Sequence, residues 1–154
     1  MSYNAGDRTN RSMTLVQTAA LVVGAVFLAV GVLGFVPGVT TNVDDIKFLG
    51  HESNAKLLDV FEVSILHNIV HLLFGVIGLA AGRASAGAAR GYLVGGGLVY
   101  LVLWLYGLVV DHDSAANFVP LNDADNWLHL ILGIGMVGLG LALSSKSRSP
   151  ARRA

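Results

Sequence analysis

The stretch "ILHNIVHLLFGVIGLAAG" (residues 65–82) decides how this chain is read. It contains no Lys, Arg, Asp or Glu, and as a helix it would rise about 27 Å, close to the thickness of a hydrocarbon core. Within it Asn68, His71 and Gly75 form the pattern N-x-x-H-L-x-x-G, and "NWLHLILGI" (126–134) writes the same pattern again with Asn126, His129 and Gly133. An apolar segment that spends polar residues twice at the same spacing asks for a common explanation.

Working outward, apolar runs of membrane-crossing length fall at about 13–36, 65–82, 91–110 and 126–143. The whole chain agrees with them: 54% of its residues are hydrophobic and 13% charged, against about 25% charged in an ordinary soluble domain. The expected fold is an all-α integral membrane protein, a four-helix transmembrane bundle over 13–144. A short N-terminal segment (1–12) precedes it and a basic tail (145–154) follows. The first run is longer than the apolar region of a signal peptide and lacks a following A-x-A site, so an uncleaved helix is expected.

Charge gives the orientation. Arg8 and Arg11 precede the first run, Arg83 and Arg90 flank "RASAGAAR", and Lys146, Arg148, Arg152 and Arg153 lie in the tail. Only Lys47 and Lys56 lie in the other connections, whereas every acidic residue except Asp7 lies there or beside them. The positive-inside rule then places both termini in the cytoplasm of a multi-pass plasma-membrane protein. Trp104, Tyr106 and Trp127 fall near the outer interface and Tyr92 near the inner one. A net charge of zero gives no argument for nucleic acid. The absence of cysteine excludes disulfides, thiolate nucleophiles and Cys-ligated metals.

In the connection 37–64, Ser53 or Asn54 is positioned to cap a helix carrying Leu57, Leu58, Phe61 and Ile65 at helical spacing, so the second helix is expected to begin outside the bilayer. Glu62 is then an interfacial, solvated residue, which avoids burying a carboxylate in hydrocarbon.

At 100° per residue, Ser64, Asn68, His71, Gly75 and Gly78 share one stripe of the second helix, and Asn126, His129, Gly133, Met136 and Gly140 one stripe of the fourth. His67 lies on the same face as His71. Both helices enter from the outside, so the chain reads as two helical hairpins with a parallel pseudo-twofold repeat along the membrane normal. Polar side chains are costly against lipid, so Asn68, His71, Asn126 and His129 are expected to form an interhelical polar seam, bonding across a gap that the glycines narrow. Two readings give the same residues a ligand. One is a haem held by His71 and His129, each with a glycine at i+4 that would clear space for the macrocycle. The other is a divalent metal held by His67, His71 and His129 with a carboxylate from "DHDSAANFVPLNDAD". A third makes the histidines part of a small-solute or proton-linked path, which no charged residue in the inner half of any helix continues.

Asp111, His112 and Asp113 read as a solvated acidic loop, Tyr100 and Trp104 as packing or interface anchors, and the tail as a positive-inside anchor. No nucleotide-binding, nucleophile-elbow or zinc-protease motif occurs. The expected role is therefore structural or accessory, in contact with the bilayer and with other subunits or a homo-oligomer, and no catalytic residue is assigned.

On "FEVSILHNIVHLLFGVIGLAAG" and "NDADNWLHLILGIGMVGLGLAL" the chain resembles a family of small four-helix membrane proteins of unknown function, common in actinobacteria. It is more distantly similar to DoxX-like membrane proteins. The resemblance implies a bacterial plasma membrane and the same topology, the distant similarity an accessory role in respiratory or redox assemblies. Neither supplies a catalytic residue.

Overall fold

A computed structural model describes residues 12–145. Arg8, Arg11 and the four basic residues of the tail therefore lie outside the described residues. Four helices form the body: α1 (Leu15–Leu33), α2 (Ile65–Ala84), α3 (Ala86–Val109) and α4 (Asp123–Ser145). All four are long and apolar enough to cross a membrane.

Each helix end has a local cause. Thr14 caps α1 in a capping box: its Oγ1 accepts from Gln17 N, and Gln17 Oε1 accepts from Thr14 N. Gln17 Nε2 also donates to Gly82 O at 3.0 Å, tying the start of α1 to the end of α2. Ser64 caps α2 by accepting from His67 N. The expected turn "RASAGAAR" shrinks to one residue. Ser85, in extended conformation, donates its N–H to Ala81 O and accepts from Ala88 N through its Oγ, ending α2 and starting α3 at once.

The connection after α1 departs from expectation. In place of a helical extension from Ser53 or Asn54 it folds as an antiparallel sheet, β1 (Thr40–Thr41), β2 (Ala55–Leu57) and β3 (Phe61–Val63), in that order. Leu57 faces Phe61, and Ala55 faces Val63. The backbone forbids the helix, because Asn54, Leu58 and Asp59 have φ of 52°, 53° and 59°, in the left-handed region that breaks a right-handed helix. Ser53, the proposed cap, instead donates its hydroxyl to Val63 O at 2.6 Å and accepts from Lys47 N. Ala55, Leu57 and Val63 are buried against Val30, Val39, Ile46 and Phe61, a small core beneath the sheet. Glu62 is a half-buried strand residue in β3, paired with Lys56 across the sheet.

The loop 110–122 packs beside this sheet, where Gly50 N donates to Phe118 O. Its shape is held by buried Asn117, which donates to His112 O and Leu121 O and accepts from Leu121 N. The Tyr106 hydroxyl donates to Ala116 O. The sheet and this loop thus share one end of the bundle. The other end carries Arg83 and Arg90, with Arg83 beside Thr14.

Candidate functional site: a histidine cluster between two hairpins

The helices pack as two tight pairs, α1 with α2 and α3 with α4, and their contacts correspond residue by residue. A Cβ on Gly24 would stand 2.9 Å from Gly75 O and 2.8 Å from Leu79 N, and one on Gly97 would stand 2.8 Å from Gly133 O and 2.9 Å from Val137 N. Leu28 fills the space over Gly75 and Leu101 the space over Gly133. At the end that carries the sheet, Gly34 lies against the Asn68 carboxamide and Gly107 against that of Asn126. In both hairpins glycine is required because backbones or a carboxamide occupy the place of its side chain.

This divides the repeated motif. Asn68 and Asn126 are buried, each in a glycine notch of its own hairpin. The histidines come together: His67 and His71 have ring centroids 4.4 Å apart, and His67 and His129 6.4 Å. Below them, toward the arginine-bearing end, lies an aromatic column. Phe27 neighbours His71 at 5.7 Å, Tyr100 stands edge-on to His129 at 5.2 Å, and Phe74 and Tyr92 continue it.

The hydrogen-bonded seam expected between Asn68, His71, Asn126 and His129 takes another form. The Nδ1 atoms of His67, His71 and His129, both amide atoms of Asn68 and the Oδ1 of Asn126 are buried with no hydrogen-bond partner. The asparagines are turned within their hairpins and the histidines between them, so the two residue types do not bond across the gap. The space beside the glycines at i+4 from His71 and His129 is filled by Leu28 and Leu101. Among the described residues no group of three or more His, Asp and Glu side chains is gathered closely enough to hold a metal ion.

Two cavities flank the cluster, and His67, His71, Tyr100 and His129 line both. The smaller, about 120 Å³, lies between α1 and α4 beneath the sheet, against Val30, Leu128, Leu132, Phe61 and Val63. The larger, about 410 Å³, lies between α2 and α3, against Val70, Val99, Val102 and Leu103, with Phe118, Val119 and Leu121 as its roof.

Asp125, which reads in sequence as one more acid of an outer loop, belongs to this site. It is buried and lines the smaller cavity. Its Oδ2 accepts from Asn122 N at 3.2 Å and from Glu62 N at 3.0 Å, while its own N–H donates to Asn122 Oδ1. It therefore closes the first turn of α4 and pins β3 to it. The spacing Asn122-x-x-Asp125, a capping pattern, was the available signal. Tyr100 packs in the buried core, one of its two expected roles, and also lines both cavities. Asp111 and Asp113 remain in the exposed loop, where Asp111 Oδ1 accepts from Asp113 N, and His112 Nε2 lies 3.1 Å from Gly107 O at the end of α3.

No curated protein and no solved structure gives a significant match to the chain. A family profile does match, across residues 17–142, which takes in α2, α3, the sheet, the histidine cluster and all but the outermost residues of α1 and α4. The chain thus belongs to the family defined by the domain of unknown function DUF4383.

Proposed function

We propose that the protein is a non-catalytic accessory component of a bacterial plasma membrane, built from two hairpins of one design related by a pseudo-twofold axis along the membrane normal. The observation that carries the non-catalytic reading is that the groups able to support catalysis beside the histidines are already engaged. Asp125 Oδ2 accepts two backbone N–H groups, Ser64 Oγ caps α2, and Ser53 Oγ is bonded to Val63 O. Among the described residues no nucleophile or carboxylate is hydrogen-bonded to the buried Nδ1 atoms of His67, His71 and His129, the pairing by which a histidine activates an enzyme nucleophile. Outside the site, Val22 and Val26 of α1, Leu73 and Ile77 of α2, Leu98 and Leu105 of α3, and Ile131 and Ile134 of α4 present apolar flanks, suited to lipid or to a neighbouring subunit.

The shared end of Arg83 and Arg90, opposite the acidic sheet and loop, supports cytoplasmic termini. Because the chain has no cysteine, single substitutions test this directly: Ala115→Cys is expected to react with an impermeant maleimide on intact cells and Ser85→Cys only after permeabilisation. The reverse pattern would overturn the orientation. The accessory role is tested by native mass spectrometry of gently solubilised native membranes. A second membrane protein at fixed stoichiometry with the 16.1 kDa chain is expected, and a chain found alone or only with copies of itself would overturn that role.

A further inference from the structure

We propose that the cavity between α2 and α3 binds a membrane-dissolved amphiphile with a neutral, hydroxyl-bearing head group, which enters sideways from the bilayer and places that head against the histidine cluster. The inference rests on the helices spanning a membrane and on no partner subunit. Three observations lead to it.

The cavity opens toward lipid. Its rim residues Val70, Val99 and Val102 are 36%, 47% and 64% exposed on the outer flank of α2 and α3, while Asn117 holds the loop that roofs it. A volume of about 410 Å³ lies within the range of small-molecule sites, roughly 300–1,000 Å³. The walls are apolar apart from the histidines, Tyr100 and Tyr106, and the Tyr106 hydroxyl is already bonded to Ala116 O in the roof loop.

Each of those imidazoles keeps one nitrogen unpartnered. His67, His71 and His129 are 5%, 9% and 4% exposed, line the cavity, and keep a buried Nδ1 without a partner. A buried polar group without a hydrogen bond is costly, so three in one wall point to a missing partner. A packing role alone would be better served by apolar side chains of similar shape.

The chemistry of the head follows from what surrounds it. Among the described residues no Lys or Arg lines either cavity, so a carboxylate or phosphate would meet no fixed cation there. An amine would meet no carboxylate among the described residues that line the larger cavity, since Asp125 lines only the smaller one. A neutral imidazole offers one donor and one acceptor, and a hydroxyl is both, so a hydroxyl satisfies either ring nitrogen without a change of charge. A phenol-type ring and a long-chain alcohol share this chemistry, and the remaining tail would lie in the lipid between α2 and α3.

The test uses the full chain in phosphatidylcholine nanodiscs with ¹⁵N-labelled histidine, titrated separately with 4-decylphenol, 1-decanol and decylbenzene. Saturable shifts of the His67, His71 and His129 signals, with His112 unmoved, are expected for at least one hydroxyl compound and not for decylbenzene. The compound that binds tells a ring from a chain as the natural head. His129→Phe should weaken binding about tenfold, the equivalent of one hydrogen bond of about 1.4 kcal/mol. Val99→Trp alters only an outward-facing rim residue and blocks the entrance, so it should abolish binding even where a histidine variant fails to fold. Failure of both hydroxyl compounds, equal binding of decylbenzene, or unchanged binding in folded Val99→Trp would each overturn the proposal. None of these results depends on whether a partner protein exists.

Discussion

The most direct test of the packing is to add one methyl group at two glycines that look alike in sequence. In Gly75→Ala the new Cβ would stand 2.5 Å from Leu28 Cγ, 2.7 Å from Leu28 N and 2.8 Å from Gly24 O. Ordinary carbon contacts lie near 3.5–4.0 Å, so α1 and α2 must part by roughly 1 Å. Two of the three obstructing atoms are backbone and cannot rotate away, which places the overpacking penalty at the upper end of about 1–3 kcal/mol. Replacing glycine by alanine returns up to about 1 kcal/mol of helix propensity, leaving a net loss of about 2 kcal/mol. In Gly135→Ala nothing lies within 4 Å of the new atom, so only the propensity gain remains, up to about 1 kcal/mol. The two variants should differ by about 2–3 kcal/mol and in sign relative to the parent. Unfolding from dodecyl maltoside micelles by sodium dodecyl sulfate, followed by far-ultraviolet circular dichroism, measures this. Equal stability of the two variants would refute the close approach of α1 and α2.

Further outcomes are expected elsewhere. Asp125→Ala removes the acceptor for Glu62 N and Asn122 N and should cost about 2–4 kcal/mol, with faster amide exchange at both residues. Asn117→Ala removes three hydrogen bonds of the loop roof and should cost about 1–3 kcal/mol, read as earlier proteolytic cleavage within 110–121. Gln17→Ala breaks both the capping box and the tie to Gly82 O and should lower stability by about 1–2 kcal/mol, seen as a lower thermal midpoint.

The bundle was legible because hydropathy speaks over whole windows. Segments 65–82 and 126–143 became α2 and α4 with small changes at their ends, since an uninterrupted apolar run has few other stable forms in lipid. The stretch 54–63 is ambiguous in sequence, because Leu57, Leu58, Phe61 and Ile65 fit a helical period as well as "AKL" and "FEV" fit a strand period. What decides between them is the run of positive φ at Leu58 and Asp59, a conformation that Asp tolerates but that nothing in a leucine announces. The site was half legible. His67, His71 and His129 could be placed on facing stripes, whereas Asp125 was hidden by its company, since one acid among Asp111, Asp113 and Asp123 looks solvated until the fold shows it buried.

The repeated N-x-x-H-L-x-x-G can now be taken apart by direction. Asparagine and glycine of the motif face the partner helix of their own hairpin, Asn68 against Gly34 and Gly75 against Gly24, Asn126 against Gly107 and Gly133 against Gly97. Histidine lies between them in sequence but turns toward the other hairpin, where His67, His71, Tyr100 and His129 meet. Three or four residues along a helix are neighbours on one face, yet the 40° to 60° between such positions is enough to divide that face between two partners. The hairpins are fastened internally by glycine contacts that tolerate no added atom, while the gap between them is bordered by imidazoles with buried nitrogen left unpaired. Rigid pairs on either side of a gap with unmet hydrogen bonds form an arrangement in which a ligand can be gained or lost without disturbing either pair. On this argument the motif occurs twice because each hairpin must carry its own fastening, and its histidine is the residue the fastening leaves over for the space between them.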